Sequence, residues 1–499
     1  MSVLRLPYGF ARRFGVVVTG PMVTEAGEDR VCVALRDGES GAALAEVRRL
    51  AGRALTVERV AAGRFDRILA DHYAGDGIAS AMGEAEGLGS LVDGMPSAED
   101  LLDSADEAPV IRLINGLIAE AAREGVSDIH IEPYESALVV RMRSDGQLRE
   151  RHRLPASVAA MVVSRVKVMA RLDIAERRLP QDGRIGLALA GKSLDVRVST
   201  LPSRAGERVV LRLLDKDNAG IGLEALGMPA ALEAELRAAL AEPNGMVLVT
   251  GPTGSGKTTS LYAGLKLLND GSRNILTIED PVEYAVEGVG QTQVNAKVGL
   301  SFAAGLRAIL RQDPDVVMVG EIRDAETAQI AVQAALTGHL VLTSVHTNDA
   351  AGAITRLRDF GVEPFLIASV LRAVAAQRLV RRLCSECAEA EVLDAARAAL
   401  MGMAAGEGAY RAAGCDACGG TGWRGRIGVF EIVRVGDRVR RLIVEGGDEA
   451  AIAALAFGHA PDFAAPDLGA AARGLVRAGV TSVEEAARVM RAGEGPADG

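Results

Sequence analysis

The chain has 499 residues and a formal net charge of −10, with 49% hydrophobic, 24% charged and 3% aromatic residues. This length exceeds what one hydrophobic core holds, so about two to four domains are expected, with cores built mostly from Ala, Leu and Val. The acidic balance disfavours a sequence-blind nucleic-acid binder, whose phosphate contacts need an excess of Lys and Arg. No apolar run approaches the roughly 20 residues of a membrane span, and none has the pattern of a signal peptide, so we expect a cytosolic protein.

The first 225 residues predict two small domains. Residues 1–92 mix short apolar runs with amphipathic stretches and indicate a small α/β domain, whereas 93–108 are acidic and poor in large apolar residues, as in a linker. Apolar residues recur at helical spacing over 110–124, and the alternating runs that follow predict strands. Residues 109–225 are therefore expected to form a second N-terminal α+β domain, of PAS-like type.

The remaining part of the chain, 226–499, has the pattern of an α/β domain. Short apolar strands are predicted at 247–250, 274–278, 316–319 and 340–344. Helical stretches separate these strands, which predicts a parallel sheet with crossover helices, the layout of a nucleotide-binding core. From residue 388 onward the sequence is rich in Ala, so we expect a helical tail interrupted by one Gly-rich turn.

A phosphate-binding loop is the strongest chemical signal in the chain. Residues 251–258, GPTGSGKT, fit the pattern G-x-x-x-x-G-K-[ST] at every fixed position, between a predicted strand and a predicted helix. Such a loop points its backbone N–H groups at the phosphates of ATP, while the Lys neutralises phosphate charge and the Thr hydroxyl reaches Mg²⁺. The predicted ATP-binding residues are Gly251, Pro252, Thr253, Gly254, Ser255, Gly256, Lys257, Thr258 and Thr259.

Two acidic clusters follow predicted strands, where carboxylates of a doubly wound sheet face the ligand crevice. The first contains Glu279, Asp280 and Glu283, and the second contains Glu321. Hydrolysis needs an acidic ligand for Mg²⁺ and an acid that orients or deprotonates water. The predicted Mg²⁺ ligands are Thr258, Asp280 and Glu321. Each cluster alone is also compatible with surface charge at the end of a strand. His346 follows the strand at 340–344, where a sensor of the γ-phosphate or water and a structural hydrogen-bond role are both open.

Four of the five cysteines form two Cys-x-x-Cys pairs, which in a reducing compartment indicates metal rather than disulfides. We expect Cys384, Cys387, Cys415 and Cys418 to hold one structural Zn²⁺ within an insertion spanning 384–418. A redox role is the alternative.

Several arginines are candidates for contacts with the γ-phosphate. Arg307 and Arg311 are four residues apart on a predicted helix, and the preceding domain contributes Arg184 and Arg197. Most exposed arginines are merely solvated, and spacing alone does not choose among these.

The motifs together resemble the secretion ATPase superfamily, whose members drive type II secretion, type IV pili and type IV secretion. GPTGSGKTTSLY, NILTIEDPVEY, LRAILRQDPDVVMVGEIRD and TGHLVLTSVHTNDA are similar to its Walker A, Asp box, Walker B and His box. LPYGFARRFGVVV, SDIHIEP and LPQDGRI are similar to N-terminal sequences of the type II secretion branch. The resemblance is dense from residue 108 to 431 and thin over 19–107 and the tail.

The resemblance implies a RecA-like P-loop core with a zinc-binding insertion, and site residues that match by motif. Lys257 and Thr258 would bind ATP and Mg²⁺, Glu321 would be the Walker B acid, and His339 and His346 would fall in the His box. The Asp-box acids would be Glu279, Asp280 and Glu283. The γ-phosphate arginines would be Arg184, Arg197, Arg307 and Arg311.

The resemblance also implies a motor that forms a homo-hexamer, assembles a pseudopilus and exports folded proteins. Residues 1–92 would dock the cytoplasmic domain of an inner-membrane platform protein, and a polytopic platform protein would be a second partner. The protein would lie at the cytoplasmic face of the inner membrane. The zinc pairs fit the secretion and pilus-extension branches, so pilus assembly is the alternative function. A nucleic-acid helicase is disfavoured by the acidic charge and scarce aromatics, and a non-catalytic scaffold by the intact acids.

Overall fold

The computed structural model describes residues 6, 14–23, 29–38, 43–61, 64–65, 68, 108–189, 192–215, 221–458 and 466–491. The chain divides into two compact units, Met1–Lys216 and Asp217–Gly499. The predicted linker lies outside the described residues except for its last residue, Ala108. In the described parts of the chain, no helix combines the length and the apolarity that crossing a membrane requires.

The first unit begins with a three-stranded sheet. Its elements are β1 (Val16–Val23), β2 (Asp29–Arg36), α1 (Ala43–Ala51) and β3 (Ala54–Val60). β1 pairs antiparallel with β2, and α1 is the crossover that makes β3 parallel to β2. Alternate strand residues such as Val16, Val33 and Leu35 pack with Val47 of α1 in a small core. In the described residues between 14 and 61, this arrangement has the α/β character predicted for 1–92, whose bounds stay a prediction.

A six-stranded antiparallel sheet follows in the same unit. Its elements are α2 (Ala108–Arg123), β4 (Asp128–Pro133), β5 (Ala137–Ser144), β6 (Gln147–Pro155), α3 (Ala159–Met169), β7 (Gln181–Leu189), β8 (Lys192–Ser203) and β9 (Gly206–Asp215). The strand order is β6-β5-β4-β9-β8-β7. One face of alternating apolar residues packs on α2 and α3, which gives the predicted α+β architecture.

The second unit contains a seven-stranded sheet. The first half runs through α4 (Ala230–Leu240), β10 (Gly245–Thr250), α5 (Lys257–Leu268), β11 (Ile275–Glu279), β12 (Val289–Gln293), α6 (Phe302–Ile309), β13 (Val316–Val319), α7 (Ala325–Leu336) and β14 (Leu340–Val345). The four predicted strands are confirmed to within two residues at each end, whereas β12 was not predicted. β10, β13 and β14 are buried along their whole length, because helices cover both faces of the sheet.

The second half of this unit completes the sheet and adds the insertion. Its elements are α8 (Ala350–Asp359), α9 (Pro364–Val370), β15 (Leu371–Leu383), β16 (Glu389–Val392), α10 (Ala395–Ala399), β17 (Gly408–Arg411), β18 (Trp423–Arg434), α11 (Asp437–Val444), α12 (Glu449–Phe457), α13 (Leu468–Arg477) and α14 (Val483–Arg491). The sheet order is β12-β11-β13-β14-β10-β15-β18.

Three predictions about this unit need correction. The sheet is parallel except at one edge, where β18 pairs antiparallel with β15. The tail is not uniformly helical, because β16 and β17 form a hairpin within the insertion and β18 follows it. The helix expected to carry Arg307 and Arg311 on one face ends at Ile309, so Arg311 lies beyond it.

Candidate functional site

The phosphate-binding loop connects the end of β10 to the start of α5. Gly251, Gly254 and Gly256 have φ values of 146°, 78° and 90°, a region that side chains with a Cβ rarely adopt. A Cβ at Gly256 would lie 2.6 Å from the Gln377 amide nitrogen, and a Cβ at Gly251 would lie 2.5 Å from the Ser255 hydroxyl. The backbone therefore needs glycine at both positions. The loop encloses Ser255, whose buried hydroxyl has no hydrogen-bond partner among the described residues.

Lys257, the first residue of α5, extends into the mouth of this loop. Its ammonium donates to the Gly251 carbonyl oxygen at 2.7 Å and to the Pro252 carbonyl oxygen at 3.2 Å, and lies 3.3 Å from Nδ1 of His346. Burial lowers the pKa of Lys257 to about 8, although the Glu321 carboxylate acts in the opposite direction. The cation is thus held where a phosphate on the loop would meet it, and Thr258 is exposed at the same helix end.

Glu321 follows β13 and lies beside this cation. One carboxylate oxygen accepts a hydrogen bond from Arg323, and the other lies 3.1 Å from Nε2 of His346. Arg323 also donates to Asp280 at 3.3 Å. Burial acts to raise the pKa of Glu321, but the hydrogen bonds from Arg323 and His346 outweigh it and hold the pKa below its usual range. Glu321 is therefore a carboxylate at neutral pH, joined to Lys257 through His346.

Glu279 has a different environment at the end of β11. It is 3% exposed, and its carboxylate accepts hydrogen bonds from the Tyr262 hydroxyl, from Thr277 at 2.5 Å and from Gln291 at 3.2 Å. Burial and the bond to Glu279 hold the pKa of the Tyr262 phenol far above its usual range. The same hydroxyl accepts the backbone N–H of Glu283 at 3.3 Å. The structure thus ties the Glu279 carboxylate and the Glu283 backbone to Tyr262 on α5, the helix that begins with Lys257.

The predicted arginines fall in two groups. In the second unit, Arg307 donates to Glu326 at 2.6 Å, and Arg311 donates to the Arg307 carbonyl oxygen at 2.9 Å. In the first unit, Arg184 and Arg197 are directly opposite each other on β7 and β8. Arg184 lies 4.0 Å from the Asp195 carboxylate. The role of all four in catalysis stays a prediction.

The two histidines of the His box lie at opposite ends of β14. His346 follows its carboxyl end, beside Lys257 and Glu321. His339 precedes its amino end, where its ring contacts the Ala334 carbonyl oxygen at 2.9 Å and its own carbonyl oxygen accepts the Gly245 N–H. Only His346 of this pair therefore belongs with the phosphate-binding loop.

Several residues that sequence reasoning did not select as site residues contact this region. Gln377 accepts a hydrogen bond from Ser260 of α5 at 2.6 Å. Arg378 donates to the Asn348 carbonyl oxygen at 3.0 Å, and Glu431 accepts the Ala350 N–H at 2.7 Å. The sequence feature that could have identified these residues is a polar side chain within an otherwise apolar strand, as in AVAAQRLV and GVFEIV.

The four predicted zinc ligands come together in the insertion. Their sulfur atoms all lie within 4.8 Å of one another. The distances are 3.9 Å for Cys384–Cys415, 3.8 Å for Cys387–Cys418 and 3.7 Å for Cys415–Cys418. A zinc ion about 2.3 Å from each of four sulfurs would place neighbouring sulfurs about 3.8 Å apart. The cluster therefore fits tetrahedral Zn²⁺.

Backbone N–H groups also surround these sulfurs. Gly422 and Cys415 donate to Cys418 at 3.1 and 3.2 Å, and Gly414 donates to Cys387 at 3.3 Å. Burial acts to raise the pKa of Cys418, but the two N–H groups and hydrogen bonds with Cys415 and Cys387 outweigh it and lower the pKa to about 6. Burial instead raises the pKa of Cys387 to about 12 and raises the pKa of Cys415, with the Gly414 N–H acting in the opposite direction on Cys387. Such donors stabilise thiolates, the form that binds metal.

Comparison with known proteins gives two family matches. The family described as "Type II/IV secretion system protein" matches residues 103–488. The family of an N-terminal domain of "GSPII protein E" matches residues 5–73. The second match covers most of the predicted N-terminal domain.

Individual relatives extend over nearly the whole chain. The chain is 50% identical to "Type II secretion system protein E" of Aeromonas hydrophila, over 97% of this chain and 96% of that protein. It is 47% identical to "Type II secretion system ATPase E" of Vibrio cholerae, over 98% of this chain and 97% of that protein. Among solved structures, the pilus retraction motor PilT with bound ADP is similar, with a TM-score of 0.52 and 25% identity over 76% of this chain and 96% of PilT. These matches confirm the predicted RecA-like P-loop core.

Proposed function

The chain belongs to the type II/IV secretion system protein family, and we propose that it is the ATPase that powers protein export by a type II secretion system. The observation that carries this proposal is the convergence of the phosphate-binding loop, Lys257, Glu321 and His346 at one edge of the sheet. The similarity to type II secretion proteins over nearly the full length favours secretion over pilus assembly, the alternative function.

ATP binds at the loop, through charge and backbone N–H groups. Lys257 exchanges its two carbonyl partners for oxygens of the β- and γ-phosphates, which bind an ammonium more strongly than neutral carbonyls do. The residues that surround the phosphates run along the loop and the first turn of α5, and they are Gly251, Pro252, Thr253, Gly254, Ser255, Gly256, Lys257, Thr258 and Thr259. Pro252 has no N–H group to donate to the phosphates, so it contributes the shape of the loop and the carbonyl oxygen that accepts a hydrogen bond from Lys257.

The acidic residues position Mg²⁺ and the attacking water next to the bound phosphates. Thr258, Asp280 and Glu321 would hold Mg²⁺, which neutralises charge on the β- and γ-phosphates when bound. Glu321 and His346 orient the attacking water, since their polar atoms lie within 3.1 Å of each other next to Lys257. We include Glu279 and Glu283 among the acids that set the position of this water. Arg184, Arg197, Arg307 and Arg311 supply positive charge for the transition state.

At the level of assembly, we propose a homo-hexamer that works in the cytoplasm, attached peripherally to the inner membrane. Residues 1–92 dock the cytoplasmic domain of an inner-membrane platform protein, and a polytopic platform protein receives the motion, which assembles a pseudopilus and exports folded proteins. Nucleic acid is not a partner. The family match of residues 5–73 supports the docking role, and the sulfur geometry supports Zn²⁺.

The test of the function is a pair of lysine substitutions on one helix. K257A removes the cation of the loop, whereas K266A changes an exposed lysine at the other end of α5. We expect K257A to abolish ATP hydrolysis and secretion in a host that depends on this protein, and K266A to preserve both. Secretion by K257A at the rate of the unmodified protein would refute the motor function.

The docking role is tested separately by deleting residues 1–92. The shortened protein should keep its ATPase activity but no longer sediment with inner membranes that contain the platform proteins. Membrane binding that survives the deletion would refute this role.

A further inference from the structure

Two buried charges on neighbouring strands have no place in the chemistry described so far. Arg378 on β15 is 4% exposed and Glu431 on β18 is 3% exposed. β15 and β18 are paired, with Ala376 opposite Glu431 and Arg378 opposite Val429. Burial of a charge is costly unless hydrogen bonds or an opposite charge compensate for it, so the partners of these two side chains indicate what they hold in place.

Both side chains bind the backbone of the same short segment, which runs from His346, directly after β14, to Ala350, the first residue of α8. Arg378 donates to the Asn348 carbonyl oxygen at 3.0 Å. Glu431 accepts the N–H of Ala350 at 2.7 Å with one oxygen and the N–H of Leu468, the first residue of α13, at 2.9 Å with the other. The carboxylate therefore joins the starts of two helices.

These bonds are distinct from ordinary helix capping. Asp349 caps α8 by accepting the Gly352 N–H at 2.7 Å, and Asp467 caps α13 by accepting the Ala470 N–H at 2.6 Å. Glu431 takes the N–H of the first residue of each helix, which the capping residue does not reach. The two N–H groups reach different oxygens of this side chain, and a carboxylate has an acceptor at both positions, whereas an amide has an NH2 group at one of them.

The other end of the segment contacts the site. The N–H of Thr347 donates to the Thr250 hydroxyl at 3.0 Å, at the end of β10. His346 lies 3.3 Å from the Lys257 ammonium and 3.1 Å from the Glu321 carboxylate. His346 is half-exposed, so its own packing does not fix it. The position of the imidazole depends on the backbone that carries it.

We propose that Glu431 and Arg378 are positioning residues, which hold the 346–350 backbone so that His346 stays between Lys257 and Glu321. The inference rests on the proposed part of His346 in hydrolysis. It also means that α13, which follows the zinc insertion in the chain, is joined to the site through one carboxylate.

The test is E431Q, with E485Q as the matched control. A glutamine has one acceptor oxygen, so its NH2 group must face either Ala350 N–H or Leu468 N–H, and one hydrogen bond is lost in both orientations. Glu485 is also a buried carboxylate of this unit, but it binds Arg381 and Arg488 instead of the 346–350 segment. R378M removes the second anchor independently.

The measurements are steady-state ATPase kinetics and hydrogen–deuterium exchange of peptides that cover 345–352. Burial raises the pKa of Glu431 to about 7, although its two N–H donors act to lower it. The kinetics and the exchange are therefore measured at pH 8, where the carboxylate predominates. For E431Q and R378M we expect kcat to fall about tenfold or more while KM changes by less than about twofold, because a displaced catalytic group affects chemistry more than binding. Exchange over 345–352 should be faster in both variants. E485Q should keep kcat within about twofold and leave this exchange unchanged.

Two results would overturn the inference. One is E431Q with the kcat and exchange pattern of the unmodified protein. The other is an equal loss of kcat in E431Q and E485Q, which would indicate a general loss of stability. Failure of the proposed function would give a different result, because the unmodified protein would then hydrolyse no ATP. The exchange data would still show whether Glu431 anchors the 346–350 segment.

Discussion

Removing the Glu485 carboxylate should destabilise the second unit by an amount that the structure sets. Glu485 on α14 is 2% exposed and accepts hydrogen bonds from the Arg381 side chain at 2.6 Å, the Arg381 backbone N–H at 3.2 Å and Arg488 at 2.7 Å. Burial acts to raise its pKa, but these bonds outweigh it and lower the pKa from 4.5 to about 2. A lowering of this size corresponds to about 3 kcal/mol of stability, at about 1.4 kcal/mol per pKa unit.

The sign of the pH dependence follows from the lowered pKa. Because the folded protein binds the Glu485 proton less readily than the unfolded chain, this stability is fully present above about pH 4.5 and is lost as the pH falls towards 2. E485Q should therefore lower the free energy of unfolding by up to about 3 kcal/mol at pH 7, with a smaller difference near pH 3.

The assay is urea unfolding of the full-length protein and of E485Q, followed at pH 7 and pH 3 by the fluorescence of Trp423. This indole reports on the same region, because the Arg381 guanidinium lies over its ring at 4.2 Å from the centroid, and Trp423 is the one tryptophan of the chain. R488M, measured in parallel, removes one of the two arginine partners and keeps the carboxylate. It should therefore lower the free energy of unfolding by less than E485Q does. A difference between E485Q and the unmodified protein that is equal at the two pH values would refute the reasoning.

Four further predictions concern the site and the metal centre. E321Q should retain ATP binding but lower kcat by about 100-fold or more, since it removes the charge beside His346; an unchanged rate in single-turnover measurements would contradict this. Y262F should cost about 1–3 kcal/mol in urea unfolding because Glu279 loses a donor in a buried site, and an unchanged midpoint would contradict the tie between α5 and the Asp box. C415S should release zinc, measured by a chelating dye, and lower the melting temperature, whereas C32S, at the fifth cysteine, which lies on β2 of the first unit, should do neither; full zinc content in C415S would exclude the four-cysteine site. R184A and R197A should each lower kcat at constant ATP affinity, and unchanged turnover in both would remove them from the catalytic residues.

Sequence reasoning was sufficient for the features that depend on contiguous residues. The phosphate-binding loop and the strands around it were predictable because glycine spacing and apolar runs fix local backbone geometry. The acids at 279 and 321 were predictable as a group, since parallel strands end at one edge of the sheet. Their separate environments were not, because the burial of Glu279 depends on Tyr262 and Gln291, which approach it from α5 and β12.

Features that depend on distant segments escaped prediction. Arg378 and Glu431 bind backbone groups that are 30 and 81 residues away in the chain. Every residue has such backbone groups, so the sequence does not identify these partners. The last two strands of the large sheet, β15 and the antiparallel β18, were both missed, and the insertion separates β18 from β15, its partner. Arg311 was placed on a helix that ends two residues earlier, and helix ends are set by local hydrogen bonding that periodicity does not show.

The residues of β15 contact several parts of the second unit that are far from one another in the sequence. Gln377 contacts α5, Arg378 contacts the 346–350 segment and Arg381 contacts α14. Cys384 of the metal centre comes directly after the strand. An extended strand stretches little, and the part of β15 from Gln377 to Cys384 spans at most roughly 23 Å at about 3.3 Å per residue, with one irregularity in its pairing between Arg381 and Leu383. A pull on the metal centre along this strand would therefore be transmitted as tension to the nucleotide site rather than absorbed by a flexible hinge.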